Sequence, residues 1–330
     1  MSHPLDLLGP DDRSALIGEP FPDRIDPQLA VLTDDYFSDP DWIFERKLDG
    51  VRCIVYRKDG DVRLRSRNDN DMTNTYPEIA EALPGGPDCV ADGEIVAFDG
   101  QTSSFSRLQG RIGIDDPDRA RRSGIAIYLY LFDLIHFDGY SLAPLPLRRR
   151  KALLKAALTY SNRIRFSAHR NTEGKAWLEQ ACERGWEGLI AKRANAPYQF
   201  KRSRDWLKFK CAQGQEMVIG GWTDPEGSRI GFGALLLGYY DQGSLRYAGR
   251  VGTGFDQALL TSLHDKLTAL ETATPPFADP PDAPGLHWAE PSLVGEIGFT
   301  EWTGSGKLRH PRFKGLRHDK TAAEVVRESP

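Results

Sequence analysis

No stretch of this 330-residue chain approaches the roughly 18 uninterrupted apolar residues of a membrane-spanning helix, so no such helix is expected. Cysteine is scarce: Cys53, Cys89, Cys182 and Cys211 stand far apart, with no CxxC pair and no neighbouring histidine cluster. That spacing gives no sign of a zinc site, and it predicts buried thiols in a reducing compartment. The opening MSHPLDLLGPDDRS lacks the basic start and apolar core of a signal peptide, which predicts a cytoplasmic protein. Positive charge is not in excess either. The net charge of −4 argues against indiscriminate binding of nucleic acid, whose phosphates attract a protein through summed positive charge. There is no internal repeat, and the only biased tract is TPPFADPPDAPG.

A hydrophobic content of 40% and a charged content of 27% belong to a soluble globular chain, long enough for two domains at about 100–200 residues each. The basic residues are unevenly spread. They outnumber acids in residues 46–67, 192–210 and 301–320. Such runs are either solvated surface or one assembled face that meets phosphates.

The first 40 residues, rich in Pro and Asp, read as an irregular arm with at most one short helix. Short alternating runs begin at Trp42. VRCIVYR and DVRLRSR, joined at Lys58-Asp59-Gly60, have hairpin chemistry. CVADGEIVAF, IAIYLYLFDLI, GLIAKR and DWLKFKC are further strand candidates, while LRRRKALLKAAL and TEGKAWLEQACERG have helical spacing, the second ending at Gly185. The first domain is therefore mixed α+β with predominantly antiparallel strands. Beyond Cys211, EMVIGGWT, ALLLGYYDQGSLRYAGRVG, a helix near residues 256–270, LVGEIGFTEWT and KLRHPRFKGLR predict four or five strands and one helix. That content suits a small OB-type barrel, although strand count does not distinguish it from other small barrels. The expected division is a domain at 1–212 that includes the arm and a barrel at 213–330, with the boundary within residues 212–215.

Several local patterns could carry chemistry. Lys47 lies in ERKLDGVR, beside Arg46, Asp49 and Arg52; desolvation and nearby positive charge make a lysine nucleophilic toward phosphorus. Lys-x-Asp-Gly by itself is equally an exposed turn before a strand. Asp92 and Glu94 share a strand face, as a solvated edge or as contacts for a ribose and a divalent metal. Tyr128, Tyr130 and Phe132 share another face, which is either core or a base-stacking platform with Phe132 as its best candidate. Glu187 and Lys192 bracket EGLIAK, as a surface ion pair or as a metal ligand and a phosphate contact. In WLKFK, Lys208 and Lys210 lie side by side over Leu207 and Phe209. Two adjacent ammonium groups over a core are costly unless an anion lies between them.

Taken in order, KLDGVR, SRN, DGEIV, FDL, EGLIAK and WLKFK resemble the successive motifs of the covalent nucleotidyltransferases, the ATP-dependent ligases and capping enzymes. The ending LRHPRFKGLRHDK resembles the last motif of DNA ligases, with His318 where an acid is common. The whole is similar to the ligase domain of bacterial end-joining ligases, expected here as a stand-alone protein with no attached polymerase, nuclease or DNA-clasping domain. The resemblance implies an ATP-grasp-like nucleotidyltransferase (adenylation) domain of antiparallel sheets with helices, followed by an OB-fold barrel that closes and reopens about a hinge at 212–215.

It also implies site residues. Lys47 would take AMP from ATP as a lysyl-AMP intermediate. Glu45, Arg52, Glu94, Phe132, Lys192, Lys208, Lys210, Arg312 and Arg317 would hold the nucleotide, with Arg309 and Lys320 in the same closing segment. Glu94 and Glu187 would bind Mg²⁺ or Mn²⁺. Asp49, Arg52, Arg67 and Lys320 would meet DNA. The implied substrate is nicked double-stranded DNA, and the implied partners are a Ku-type end-binding protein and a separate repair polymerase; a monomer is expected. An RNA ligase, a capping-type enzyme or a non-catalytic nick-binding module would share much of this pattern. The last of these predicts loss of Lys47, Glu187 or the Lys208/Lys210 pair, and all are present.

Overall fold

A computed structural model describes residues 3–83, 85–211, 214–225, 227 and 229–328. The chain divides into two compact units, residues 1–211 and 212–329. Residues 212 and 213, within the expected boundary and hinge, lie outside the described residues; Gly214 already opens the strand Gly214–Thr223.

In the first unit, one sheet runs in the order Ile17–Gly18, Tyr140–Ser141, Ile127–Phe137, Cys89–Asp99, Val51–Lys58, Asp61–Arg65. All these pairings are antiparallel, and Ile164–Phe166 adds to Ile127–Phe137 in parallel. The predicted hairpin turn is present, with Asp59 and Gly60 at φ of 52° and 88°, the left-handed pair that a two-residue connection requires. Period-2 alternation puts Val51, Cys53, Val55, Ala91, Ile95, Leu129 and Leu131 on one face, where they pack with Leu153 and Leu154 of the helix Leu147–Ala157. The other face carries Arg52, Glu94 and Tyr130, which lie directly across from one another.

A second sheet follows the order His169–Asn171, Trp42–Arg46, Gly188–Arg193, Arg202–Lys210, Leu29–Leu32. Its Trp42, Phe44, Leu189, Leu207 and Phe209 face the helix Gly174–Glu183 through Trp177, Leu178 and Ala181. The strand Leu29–Leu32 corrects the reading of the first 40 residues as irregular. LAVL is too short to display a period, and its partner, Arg202–Lys210, lies far away in sequence and pairs in parallel. The arm also contains the short helix Pro10–Ser14. Short helices at Pro77–Glu81, Phe105–Gln109 and Pro117–Arg122 are single turns whose apolar residues are too few to show periodicity.

The cysteines require a second correction. Cys182 and Cys211 form a disulfide with Cα atoms 5.2 Å apart, whereas Cys53 and Cys89 are the expected buried thiols. A sequence separation of 29 concealed the pair. It is brought together because the helix Gly174–Glu183 packs on the sheet that Arg202–Lys210 helps to form.

In the second unit, Ser244–Val251, Leu235–Asp241, Gly214–Thr223, Leu286–Gly298 and Glu271–Thr272 form a sheet, with Arg312–Arg317 also paired to Leu286–Gly298. The predicted helix runs Gln257–Ala269, and Asp256 caps it by accepting a hydrogen bond from Leu259 N at 2.8 Å. Its Leu263 and Leu267 pack on Met217, Ile219, Leu235 and Leu237. The fold class is mixed α+β, dominated by sheets. Among the described residues no helix is long and apolar enough to cross a membrane.

Candidate active site

The register of the second sheet decides which side chains share a face. Glu45 lies opposite Ile190, which lies opposite Lys208; Ile43 is opposite Lys192, which is opposite Trp206; Gly188 is opposite Lys210. Lys47 continues the series, its N–H donating to Gly188 O at 2.9 Å. Residues across a ladder point to the same side. Lys47, Lys192, Trp206, Lys208 and Lys210 therefore all emerge from the face opposite the helix-packed core. Lys47 and Lys210 sit two strand spacings apart, roughly 10 Å. Two glycines make this possible: a Cβ on Gly188 would meet Phe209 O at 1.9 Å, and one on Gly50 would meet Ile95 O at 2.2 Å. The glycines of KLDG and EG allow strands to approach where any side chain would separate them.

On this face the Lys47 Nζ lies 2.5 Å from Glu187 Oε1, both side chains mostly buried. Glu45, only 2% exposed, is enclosed by protein. Its carboxylate accepts hydrogen bonds from Lys151 Nζ at 2.6 Å, Lys192 Nζ at 3.0 Å and Ser167 Oγ at 3.2 Å. Burial alone would push the Glu45 carboxyl up, but attraction to Lys151 and Lys192 outweighs it and holds the group below its usual range. One carboxylate shared by two ammonium groups leaves the cluster short of negative charge. Burial accordingly brings Lys192 down to about 8, with the Lys151 charge adding to the effect and Glu45 opposing it. The Lys192 Nζ sits 4.0 Å from the Phe132 ring centroid and 4.1 Å from that of Trp206.

Phe132 belongs to the facing sheet of the same unit and meets Trp206 edge-on at 5.9 Å. Arg52 lies over both rings. It donates to Asp92 through Nε at 2.5 Å and Nη2 at 2.6 Å, and to Gln28 O at 3.0 Å. Asp92 is fully buried and also accepts from the Tyr198 hydroxyl at 2.7 Å. The pairing outweighs burial and raises the Arg52 guanidinium above its usual value. Of the two acids on that strand face, Asp92 therefore anchors Arg52, while Glu94 lies partly exposed between Arg52 and Tyr130 in the ladder. Asp49 accepts from Phe105 N at 3.3 Å, and its own N–H donates to Ser103 Oγ at 3.0 Å. Arg67 is partly exposed in the loop that follows Asp61–Arg65.

In the second unit, Arg309 is paired with Glu301 at 2.5 Å on an exposed surface, and Arg312 is exposed. Arg317 is enclosed by Asp319, at 2.7 Å, and Glu296, at 3.9 Å. Lys320 is paired with Glu216 at 3.1 Å.

Sequence reasoning missed Trp206, Lys151 and Arg150. The signal for the last two was legible: in LRRRKALLKAAL the charges at 150 and 151 interrupt the apolar stripe of Leu147, Leu154 and Leu158. A charge on a core-facing stripe demands a buried partner. Lys151 finds Glu45, and Arg150 finds Asp133 of the FDL motif through bonds of 2.8 and 2.9 Å, both residues fully buried.

Comparison with known proteins matches this arrangement to described families. Residues 27–210 match the ATP dependent DNA ligase domain, and residues 228–320 match the ATP dependent DNA ligase C terminal region. The chain is 38% identical over 322 residues to the multifunctional non-homologous end joining protein LigD of Pseudomonas aeruginosa, covering 94% of this chain and 37% of that protein. It is 39% identical over 297 residues to the LigD DNA repair protein of Mycobacterium tuberculosis, covering 87% and 37%. This chain thus spans little more than a third of the length of those relatives. Among solved structures, mycobacterial DNA ligase D complexed with ATP and MES aligns with a TM-score of 0.67 at 36% identity, covering 92% of this chain and 98% of that one. The ligase domain of M. tuberculosis LigD aligns with a TM-score of 0.50 at 37% identity, over the same shares. The chain belongs to the ATP-dependent DNA ligase family.

Proposed function

We propose that this chain seals nicks in duplex DNA, with Lys47 as the nucleophile toward ATP. The observation that carries the reading is the single sheet face on which Lys47, paired with Glu187, stands in line with Lys192, Lys208 and Lys210. Phosphoryl transfer needs positioning and charge neutralisation more than covalent chemistry. In this reading the adenine enters beside Phe132 and Trp206, and Arg52, held rigid by Asp92, lies along its edge. Glu94 meets the ribose, while Lys208 and Lys210 hold the α-phosphate. The Lys47 amine, its proton passed to Glu187, attacks the α-phosphorus; pyrophosphate leaves and a phosphoramidate to AMP remains. AMP then moves to the 5′-phosphate of the nick, and the 3′-hydroxyl displaces it. Glu45 is assigned a positioning role, because its carboxylate is already taken by Lys151 and Lys192.

Glu187 and Glu94 are the carboxylates that would hold Mg²⁺ or Mn²⁺. Among the described residues no group of three or more His, Cys, Asp or Glu side chains forms a metal cage. That sparse donor set suits magnesium, which keeps waters and takes one or two carboxylates with substrate phosphates. Such an ion would supply charge neutralisation at the phosphates.

The domain division at 212/213, closure of the second unit's sheet as an OB barrel, and movement of that unit between steps belong to the same proposal. So do the roles of Arg309, Arg312, Arg317 and Lys320 over the outer phosphates, and those of Asp49, Arg52, Arg67 and Lys320 at the DNA. The LigD relatives support a place in end joining; a Ku-type protein and a separate polymerase as partners, and a cytoplasmic monomer, are part of the same proposal. The test is incubation of the full chain and Lys47→Ala with ATP labelled at the α-phosphate and Mg²⁺, after discharge of pre-bound AMP with pyrophosphate. Label retained on denatured wild type alone, stable to alkali and released by acid as a phosphoramidate is, with nick sealing, is the expected result. An unlabelled wild type would return the chain to the class of non-catalytic nick-binding modules.

A further inference from the structure

A second cleft lies in the first unit, of about 730 Å³, and none of the residues assigned above lines it. Its walls bring together Arg46, Arg165 and Arg184 with Tyr128, Tyr130 and Trp186. From this cleft we infer a clamp for backbone phosphates of the nucleic-acid strand entering the active centre, a proposal that rests on the nick-sealing reading and extends it.

Three observations lead there. First, the guanidinium groups lack counter-charges: among the described residues none of the three arginines makes an ion pair. Arg46 donates through Nη2 to Gln101 O at 3.0 Å, while its Nε is buried without a hydrogen-bond partner. Arg165 donates only to Asn162 O at 3.0 Å and the Tyr130 hydroxyl at 2.8 Å. Elsewhere on the surface Arg13, Arg24, Arg121 and Arg149 each have a carboxylate partner. Three arginines without one, converging on a cleft, make a receptor for an anion.

Second, the aromatics hold the cations rather than offering open faces. The Arg46 guanidinium lies 4.3 Å from the Trp186 ring centroid and 5.5 Å from that of Phe98. Arg165 lies 4.2 Å from Tyr128 and 5.6 Å from Tyr130, and Arg184 lies 5.6 Å from Trp186. A guanidinium held against an aromatic ring is preorganised, so it gives up little freedom on meeting a phosphate oxygen. With the ring faces occupied, base stacking is disfavoured and backbone contact is favoured.

Third, the cleft adjoins the chemistry without sharing it. Arg46 and Trp186 are the chain neighbours of Lys47 and Glu187, and Tyr130 continues the strand face of Glu94, so the cleft opens alongside the nucleotide site and not within it. A phosphate held there belongs to a polymer that continues past the reacting end, not to the reacting nucleotide.

The test uses the full chain and the double variant Arg165→Ala/Arg184→Ala, with Arg119→Ala/Arg122→Ala as a control for bulk charge. The control arginines are exposed on the helix Pro117–Arg122. Adenylation by labelled ATP should be unchanged in both variants, which also verifies folding. Fluorescence anisotropy with a nicked duplex should show at least tenfold weaker binding for the cleft variant at low salt. The slope of log K against log salt should fall by about 2, since each lost phosphate contact contributes about 0.9. Wild-type affinity and slope in the cleft variant, or an equal loss in the control, would overturn the clamp. If the wild type binds the nick but takes no label, the catalytic reading fails while the clamp stands; if it takes label and the cleft variant binds normally, the clamp alone fails.

Discussion

Replacing Glu45 with Gln removes one negative charge at nearly constant shape, and the buried cluster around it sets the expected size of the effect. Lys151 and Lys192 would lose their shared carboxylate at 2.6 and 3.0 Å, retaining for Lys151 the Ser167 and Phe132 carbonyls and for Lys192 the two rings. Removing one partner from a buried ion pair costs about 3–5 kcal/mol, a large fraction of the 5–15 kcal/mol of a typical domain. The loss should depend on pH. Lys192 already falls from 10.5 to about 8 in the native protein, equivalent to about 3 kcal/mol against its charged form. Glu45 does most to hold it up, ahead of Asp133, so in the variant it falls further.

Between the variant's lower value and about 8, the folded variant carries fewer protons on Lys192 than the wild type does. Stability rises with pH wherever the unfolded chain binds more protons. The variant therefore gains on the wild type over that interval, and the gap narrows as pH rises toward 8. Native-state hydrogen exchange of the full chain at pH 6 and pH 8, read on the amides of Trp42–Arg46 and Gly188–Arg193, measures the difference where it arises. A gap under about 1 kcal/mol at pH 6, or one that stays constant with pH, would refute the account of Glu45 as the carboxylate that pairs both buried lysines.

Reduction of Cys182–Cys211, which closes a separation of 29 residues, should destabilise the first unit by about 3–4 kcal/mol on the loop-entropy scale. Urea denaturation with and without reductant measures this, and a non-reducing thiol count should find only Cys53 and Cys89 reactive after unfolding. In the second unit, His287 is held between Glu271 at 3.0 Å and Asp224 at 2.9 Å and is stacked on Trp222. The hydrogen bonds to Glu271 and Asp224 raise it above its usual value. Its contribution should be complete below pH 6.5 and lost as pH rises through the raised value, so thermal scans of His287→Gln should fall below the wild type at pH 6 and converge with it at high pH.

The sequence by itself determined the elements whose physics is local. The Asp59-Gly60 turn, the helices Leu147–Ala157, Gly174–Glu183 and Gln257–Ala269, and the strands of alternating apolar residues all declare themselves within a dozen positions. The motifs KLDGVR, DGEIV, EGLIAK and WLKFK were legible for the same reason. What these residues share was not. Register across strands far apart in sequence aligned Lys47, Lys192, Lys208 and Lys210 on one face, and a parallel partner turned LAVL into a strand. Tertiary packing also converted Glu45 from a motif neighbour into the counter-charge of Lys151 and Lys192, and joined two cysteines whose spacing carried no signal. Partner choice for a buried charge or thiol is a property of distance in space, set by how sheets and helices close over one another; chain order records only which groups are available to be paired.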